Sequence, residues 1–147
     1  MKTKIVTAAL TLSLAAAGSA PAAAQVRADS VEIRDVVEDY IVGWRTADEA
    51  LLAGAFATDQ GVILWPSGDP GEETLNGMTF GDVLARGRRP NPAYGERWRI
   101  LALDIVDGEL AVAKIDISRE GGSYVDYLVL YKLGVGWRIV AKTYVVR

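Results

Sequence analysis

The stretch "SYVDYLVLYKLGVGWRIVAKTY", residues 123–144, sets a carboxylate, Asp126, in one strand-like apolar run and an ammonium, Lys142, in the next. Arg99 and Asp116 sit inside the two preceding runs. Carboxylates of this kind act as general acid or base, and a nearby Arg or Lys stabilises negative charge developing on a substrate. In such chemistry Asp116 or Asp126 would move the proton, with Arg99 or Lys142 opposite the charge. Without catalysis, the same groups would orient a small molecule between apolar walls. The chain has no His and no Cys. This excludes histidine acid–base work, Ser-His-Asp and Cys-His nucleophiles, disulfides, and most zinc and haem sites. No metal and no cofactor is expected.

The elements that must position these groups follow from periodicity and turn signals. From Trp98 onward four runs of alternating strand character are separated by "DG", "REGG" and "GVG". Asp-Gly between such runs is a strong hairpin signal, so the C-terminal half reads as a four-stranded antiparallel meander. A two-residue turn at Asp107-Gly108 sets Arg99 opposite Asp116, and a three-residue turn at 133–135 sets Asp126 opposite Lys142. The "REGG" turn leaves Asp116 near Val125 or Asp126, and one residue of slip flips a face. With the second choice Arg99, Asp116, Asp126 and Lys142 form one charged row, and Lys114, Tyr124, Arg138 and Tyr144 share its face. This row either solvates at the open rim of the sheet or lies beneath helices at one end of a cavity. Its continuity across strands favours the cavity.

Upstream, Asp29-Ser30 reads as a helix start. Ile33, Val36, Val37, Tyr40, Ile41 and Trp44 then recur at helical spacing. Asp48 caps a second, shorter helix that carries Phe56. "GVILWP" is a short strand ending at Pro66. Thr79 caps a third helix, and "SGDPGEETLNG" and "RGRRPNPAYGE" read as loops. Helices on one face of an antiparallel sheet make an α+β layer architecture. Tyr40, Trp44, Phe56, Trp65 and Tyr144 supply aromatic walls for a ligand, with Arg99, Asp126 and Lys142 as the orienting polar groups. Trp98 and Trp137 read as core packing. Both sheet faces are apolar and the helices cover only one, so a homodimer packed through a sheet face is expected.

Residues 1–24, "MKTKIVTAALTLSLAAAGSAPAAA", show the charged, apolar and small-residue order of a secretory signal peptide, with cleavage expected near Ala24/Gln25. The remaining residues, 25–147, make one domain, exported to a periplasm or secreted, with no membrane span in the mature chain. The formal net charge is −3, and loss of Lys2 and Lys4 makes it more acidic. Nucleic-acid binding needs clustered Lys and Arg. The one basic cluster, "RGRRP" at 86–90, reads as a solvated loop.

The helix "VEDYIVGWRTADEALLAGAFATD" and the terminal "YVDYLVLYKLGVGWRIVAKTY" together resemble the nuclear transport factor 2-like superfamily. The nearest likeness is its SnoaL-like branch labelled putative lumazine-binding. The motifs are Tyr40-Ile41-x-Gly43, Phe56, Asp126-Tyr127-Leu128 and Gly136-Trp137-x-Ile139-Val140-x-Lys142, across nearly all of 30–145. The resemblance implies a cone-shaped half-barrel with N-terminal helices packed on a curved antiparallel sheet, enclosing a pocket and often dimeric. It implies function less closely, since the superfamily holds lyases, isomerases, hydrolases and non-catalytic binders. Scytalone dehydratase-like members use a pocket His that this chain lacks. The side-chain types of ketosteroid isomerase-like and limonene epoxide hydrolase-like sites occur here without their local motifs. The sequence therefore points first to a small-molecule binder for an apolar or aromatic ligand. A cofactor-free lyase, isomerase or hydrolase using pocket carboxylates comes second, and a dimeric structural or interaction module third.

Overall fold

The computed structural model describes residues 22–147. The expected leader lies outside the described residues except for Ala22–Ala24, which begin the first helix. The order is α1 (Ala22–Thr46), α2 (Glu49–Ala55), β1 (Val62–Ser67), β2 (Thr74–Thr79), α3 (Phe80–Ala85), β3 (Trp98–Val106), β4 (Leu110–Arg119), β5 (Gly122–Leu133) and β6 (Gly136–Val146). Six strands form one curved, unclosed sheet in the order β2-β1-β6-β5-β4-β3. All neighbours are antiparallel except β1 and β6, which run parallel. The helices pack on its concave face, giving the α+β cone. No described helix is long and apolar enough to cross a membrane.

The buried stripe of α1, Ile33, Val37, Tyr40 and Ile41, meets Ile115 and Ile117 of β4, Leu128 and Leu130 of β5, and Trp137 and Ile139 of β6. The helix begins before its expected cap. Asp29 lies inside it, fully buried, and accepts hydrogen bonds from Lys132 Nζ at 2.6 Å, Trp137 Nε1 at 3.2 Å and Gln25 Nε2 at 3.2 Å. Burial alone would raise the proton affinity of this carboxylate, but those donors outweigh it and hold its pKa low. Asp29 thus ties α1 to the β5–β6 end of the sheet. Asp48 and Thr79 cap α2 and α3 as their types require, each accepting from a backbone N–H of the first turn. The segment expected to be loop holds β2, an edge strand too exposed to show alternation.

The registers differ from expectation in a way that cancels. The β3–β4 turn is three residues, 107–109, with Val106 opposite Leu110, but a bulge between Ile100 and Ala102 restores Arg99 to its place opposite Asp116. The β5–β6 turn is two residues, with Leu133 opposite Gly136. A bulge beyond Leu130 absorbs Val140, so Asp126 faces Tyr144 and Leu128 faces Lys142. Asp126 and Lys142 are therefore diagonal neighbours on one face, within reach of a long side chain. No such compensation occurs between β4 and β5. Asp116 pairs with Val125, and Ile115 pairs with Asp126. That one-residue difference splits the expected row. Arg99, Lys114 and Asp116 lie on the convex face, while Asp126, Lys142 and Tyr144 lie on the concave face under the helices.

Candidate functional site

Asp126 is fully buried on β5 and Lys142 nearly so on β6, with Nζ 2.8 Å from Oδ2. Tyr40, one helical face away on α1, donates its hydroxyl to the same Oδ2 at 2.7 Å. Tyr94, from the loop between α3 and β3, hydrogen-bonds the Tyr40 hydroxyl. Because Tyr40 gives its proton to Asp126, Tyr94 is the donor in that second bond, and the chain runs Tyr94 to Tyr40 to Asp126. Asp126 Oδ1 receives no hydrogen bond from the protein.

A cavity of about 360 Å³ lies above this network, within the range of small-molecule sites. Lys142 and Tyr94 form part of its floor. Trp44, Trp65, Tyr124 and Tyr144 contribute aromatic walls, with Ile63, Met78 and Val83 between them. The loop after α3 closes one side with Arg86, Gly87 and Arg88. Trp44 stands edge-on to Tyr40, with ring centroids 5.9 Å apart, and Tyr124 is edge-on to Tyr144 at 5.6 Å. Lys142 Nζ lies 4.2 Å from the Tyr144 ring centroid, close enough for a cation–π contact.

The structure separates the residues singled out from the sequence into three groups. Trp44, Trp65, Lys142 and Tyr144 line the cavity. Tyr40 and Asp126 form the layer beneath it. Phe56, Arg99, Lys114 and Asp116 are elsewhere. Phe56 stacks on Phe80 at 3.8 Å between centroids and is core. Arg99 and Asp116 pair at 3.4 Å, with the Arg99 side chain 73% exposed, and both border a separate cleft on the β3–β4 side. Lys114 lies over Tyr127 on the convex face. The proposal of Asp116 as a pocket acid, and of Arg99 and Lys114 as ligand groups, is corrected by the β4–β5 register. Tyr124, expected from strand parity on the face of Asp126, lies there and lines the cavity, whereas Arg138 of the same expectation pairs with Tyr131 on the convex face. Tyr94, Arg86 and Arg88 went unassigned. These three sit in a loop without periodicity. The "RGRRP" cluster, expected to be a solvated loop, contributes two of its arginines to the cavity wall.

The hydroxyls of Tyr40 and Tyr94 ionise only well above the usual tyrosine range. Burial is the main cause, and the Asp126 charge adds to it. An unfolded chain loses its tyrosine protons near pH 10. Above that pH the folded state keeps protons that the unfolded state has shed, so stability falls as pH rises. Lys142 is shifted down by burial against the pull of Asp126. It acts in the opposite sense, favouring the folded state as pH rises toward about 10.4, but one lysine opposes two strongly raised tyrosines. The urea midpoint should hold to about pH 10 and then drop, less steeply in Tyr40→Phe. A midpoint that rises through about pH 11 would contradict this.

Comparison with known proteins agrees with the architecture. A family model described as putative lumazine-binding matches residues 28–145. No curated protein matches the chain. An NTF2-like protein of unknown function from Shewanella baltica OS155 superposes with a TM-score of 0.68 at 25% identity, over 82% of this chain and 95% of that one. An NTF2-like protein of unknown function from Methylobacillus flagellatus KT gives 0.65 at 24% identity, over 82% and 93%. A hexachlorocyclohexane dehydrochlorinase from Novosphingobium barchaimii LL02 gives 0.59 at 14% identity, over 85% and 90%, a likeness of fold alone. With the family model spanning the helices, the cavity wall and the whole sheet, the chain belongs to the putative lumazine-binding family of NTF2-like proteins.

Proposed function

We propose that this protein is exported and holds a small, partly aromatic molecule in the cavity above Lys142 and Tyr94, without catalysis. The observation that carries this reading is the aromatic cavity of about 360 Å³ set over an ion-paired carboxylate rather than over a free acid. No Asp or Glu lines it among the described residues. Asp126, the concave-face carboxylate beneath, is covered by Lys142 and Tyr40. Such a site offers stacking surface and orienting donors but no exposed general base. The family's description as lumazine-binding and the predominance of apolar and aromatic wall residues support the same reading.

The convex face supports a second part of the proposal, a homodimer. Leu101, Val106, Val112, Tyr127, Tyr131 and Val145 are each between 39% and 52% exposed there, and clustered apolar side chains on one face mark an interaction surface. Sedimentation at twice the chain mass supports this, and sedimentation at the chain mass overturns it.

Thermal denaturation with a panel of planar heteroaromatic and aromatic compounds tests the binding reading. A ligand at about a hundred times its Kd stabilises by roughly 2.7 kcal/mol, which raises Tm by several degrees in a domain of this size. No shift from any panel member would overturn it. A catalytic alternative rests on the Tyr94–Tyr40–Asp126 chain, which brings a buried carboxylate into contact with the cavity through two hydroxyls. It requires turnover that Tyr94→Phe abolishes while binding persists.

A further inference from the structure

The charge on the cavity wall is one-sided, and that narrows the chemistry of the molecule the proposed site would take. Arg86, Arg88 and Lys142 line it. Lys142 is already committed to Asp126 at 2.8 Å. Arg88 has no such partner. Its Nε is buried without a hydrogen bond, and it forms no ion pair with a described carboxylate. Its guanidinium carbon lies 3.5 Å from the Trp44 ring centroid, a separation that only a near-parallel stack allows. Burial disfavours the charged guanidinium, and the nearby Tyr94 and Tyr40 hydroxyls offset this only in part.

A partly buried cation with an unused donor is unfavourable unless something supplies the missing acceptor. A guanidinium presents its N–H groups in its own plane and binds carboxylate-like groups side by side. With Arg88 stacked flat on Trp44, an anion paired to its edge lies in a plane parallel to the indole. The conjugated remainder of that anion then runs along the aromatic walls.

We infer that the cavity is selective for planar conjugated anions, with Arg88 as the group that pairs with the anionic oxygens and Trp44 as the platform beneath the pair. This rests on the binding reading of the cavity and deepens it. An aromatic carboxylate is the simplest member of the class. A neutral molecule of the same outline satisfies the walls but offers Arg88 at most one uncharged acceptor in place of a charged pair of oxygens.

The test is a matched pair of probes, naphthalene-2-carboxylate and naphthalene-2-carboxamide, titrated by calorimetry into the wild-type protein and Arg88→Met. Met keeps an apolar side chain over Trp44 and removes the fork. The carboxylate should bind the wild type about tenfold tighter than the amide or better, with an affinity that falls as salt is added. In Arg88→Met that preference should vanish while amide binding persists, which also shows that the variant's cavity is intact. Equal binding of both probes to the wild type overturns the anion selectivity and leaves the binding site standing. A carboxylate preference retained in Arg88→Met overturns the role of Arg88. Failure of both probes to bind the wild type overturns the site and the inference together.

Discussion

Lys142→Met is expected to destabilise the fold by about 3–5 kcal/mol, because it leaves the Asp126 carboxylate buried without its counter-charge. The pair is inside the protein, with Asp126 fully buried and Lys142 5% exposed. Tyr40 continues to donate to Oδ2, but a single hydroxyl does not neutralise a charge. Replacing both partners, Asp126→Leu with Lys142→Met, removes the charge along with its partner and should recover most of the loss. The residue of the deficit belongs to Tyr40, whose hydroxyl then lacks its acceptor, at roughly 1–3 kcal/mol. Urea unfolding of the two singles and the double forms the cycle. A Lys142→Met variant within about 1 kcal/mol of wild type would mean that the pair is solvated.

The second large effect concerns the loop that carries Tyr94. Gly95 has φ +65, and a Cβ there would lie 2.2 Å from Ile41 Cγ2. The loop is pinned where it passes α1 and β4. Gly95 N donates to Ser118 O at 2.8 Å, and Arg45 Nη1 donates to Gly95 O at 3.2 Å. An alanine must either force Ile41 aside or lift the loop, and lifting the loop carries Tyr94 away from Tyr40. Gly95→Ala should cost about 2–5 kcal/mol, from the left-handed backbone and overpacking together. Gly87, in the same loop, also has φ +65 but open space around its Cβ position, so Gly87→Ala carries only the backbone part, about 1–2 kcal/mol. Equal urea midpoints for the two variants would show that the close approach at Ile41 does not hold.

The parts of this fold legible in the sequence are those governed by local periodicity. The stripe from Ile33 to Trp44, the caps at Asp48 and Thr79, and the alternation from Trp98 onward each follow from one short-range rule. The pairing of strands was less accessible. Both hairpin turns differ in length from the one their residues suggest, and the concave position of Asp126 and Lys142 survives only because a bulge absorbs Val140. The β4–β5 junction lacks such a bulge, so Asp116 and Arg99 turn outward. Bulges leave no pattern in the apolar alternation until the partner strand is known. The loop from Arg86 to Arg97 was opaque for another reason. Its conformation is set by contacts far away in the chain, such as Asn91 N to Arg45 O and Gly95 N to Ser118 O, which no local signal encodes. That loop supplies Tyr94, Arg86 and Arg88, three of the polar groups at the cavity.

The protein's four tryptophans allow the central claim to be read in one spectrum. Trp44 and Trp65 border the cavity, Trp98 borders the cleft on the β3–β4 side, and Trp137 is sealed in the core with its indole N–H on Asp29. Titrating a compound that raises Tm into nitrogen-labelled protein should move the indole signals of Trp44 and Trp65 and leave those of Trp98 and Trp137 in place. Movement at Trp98 alone, with Trp44 and Trp65 unchanged, would place the molecule outside the cone and contradict the account.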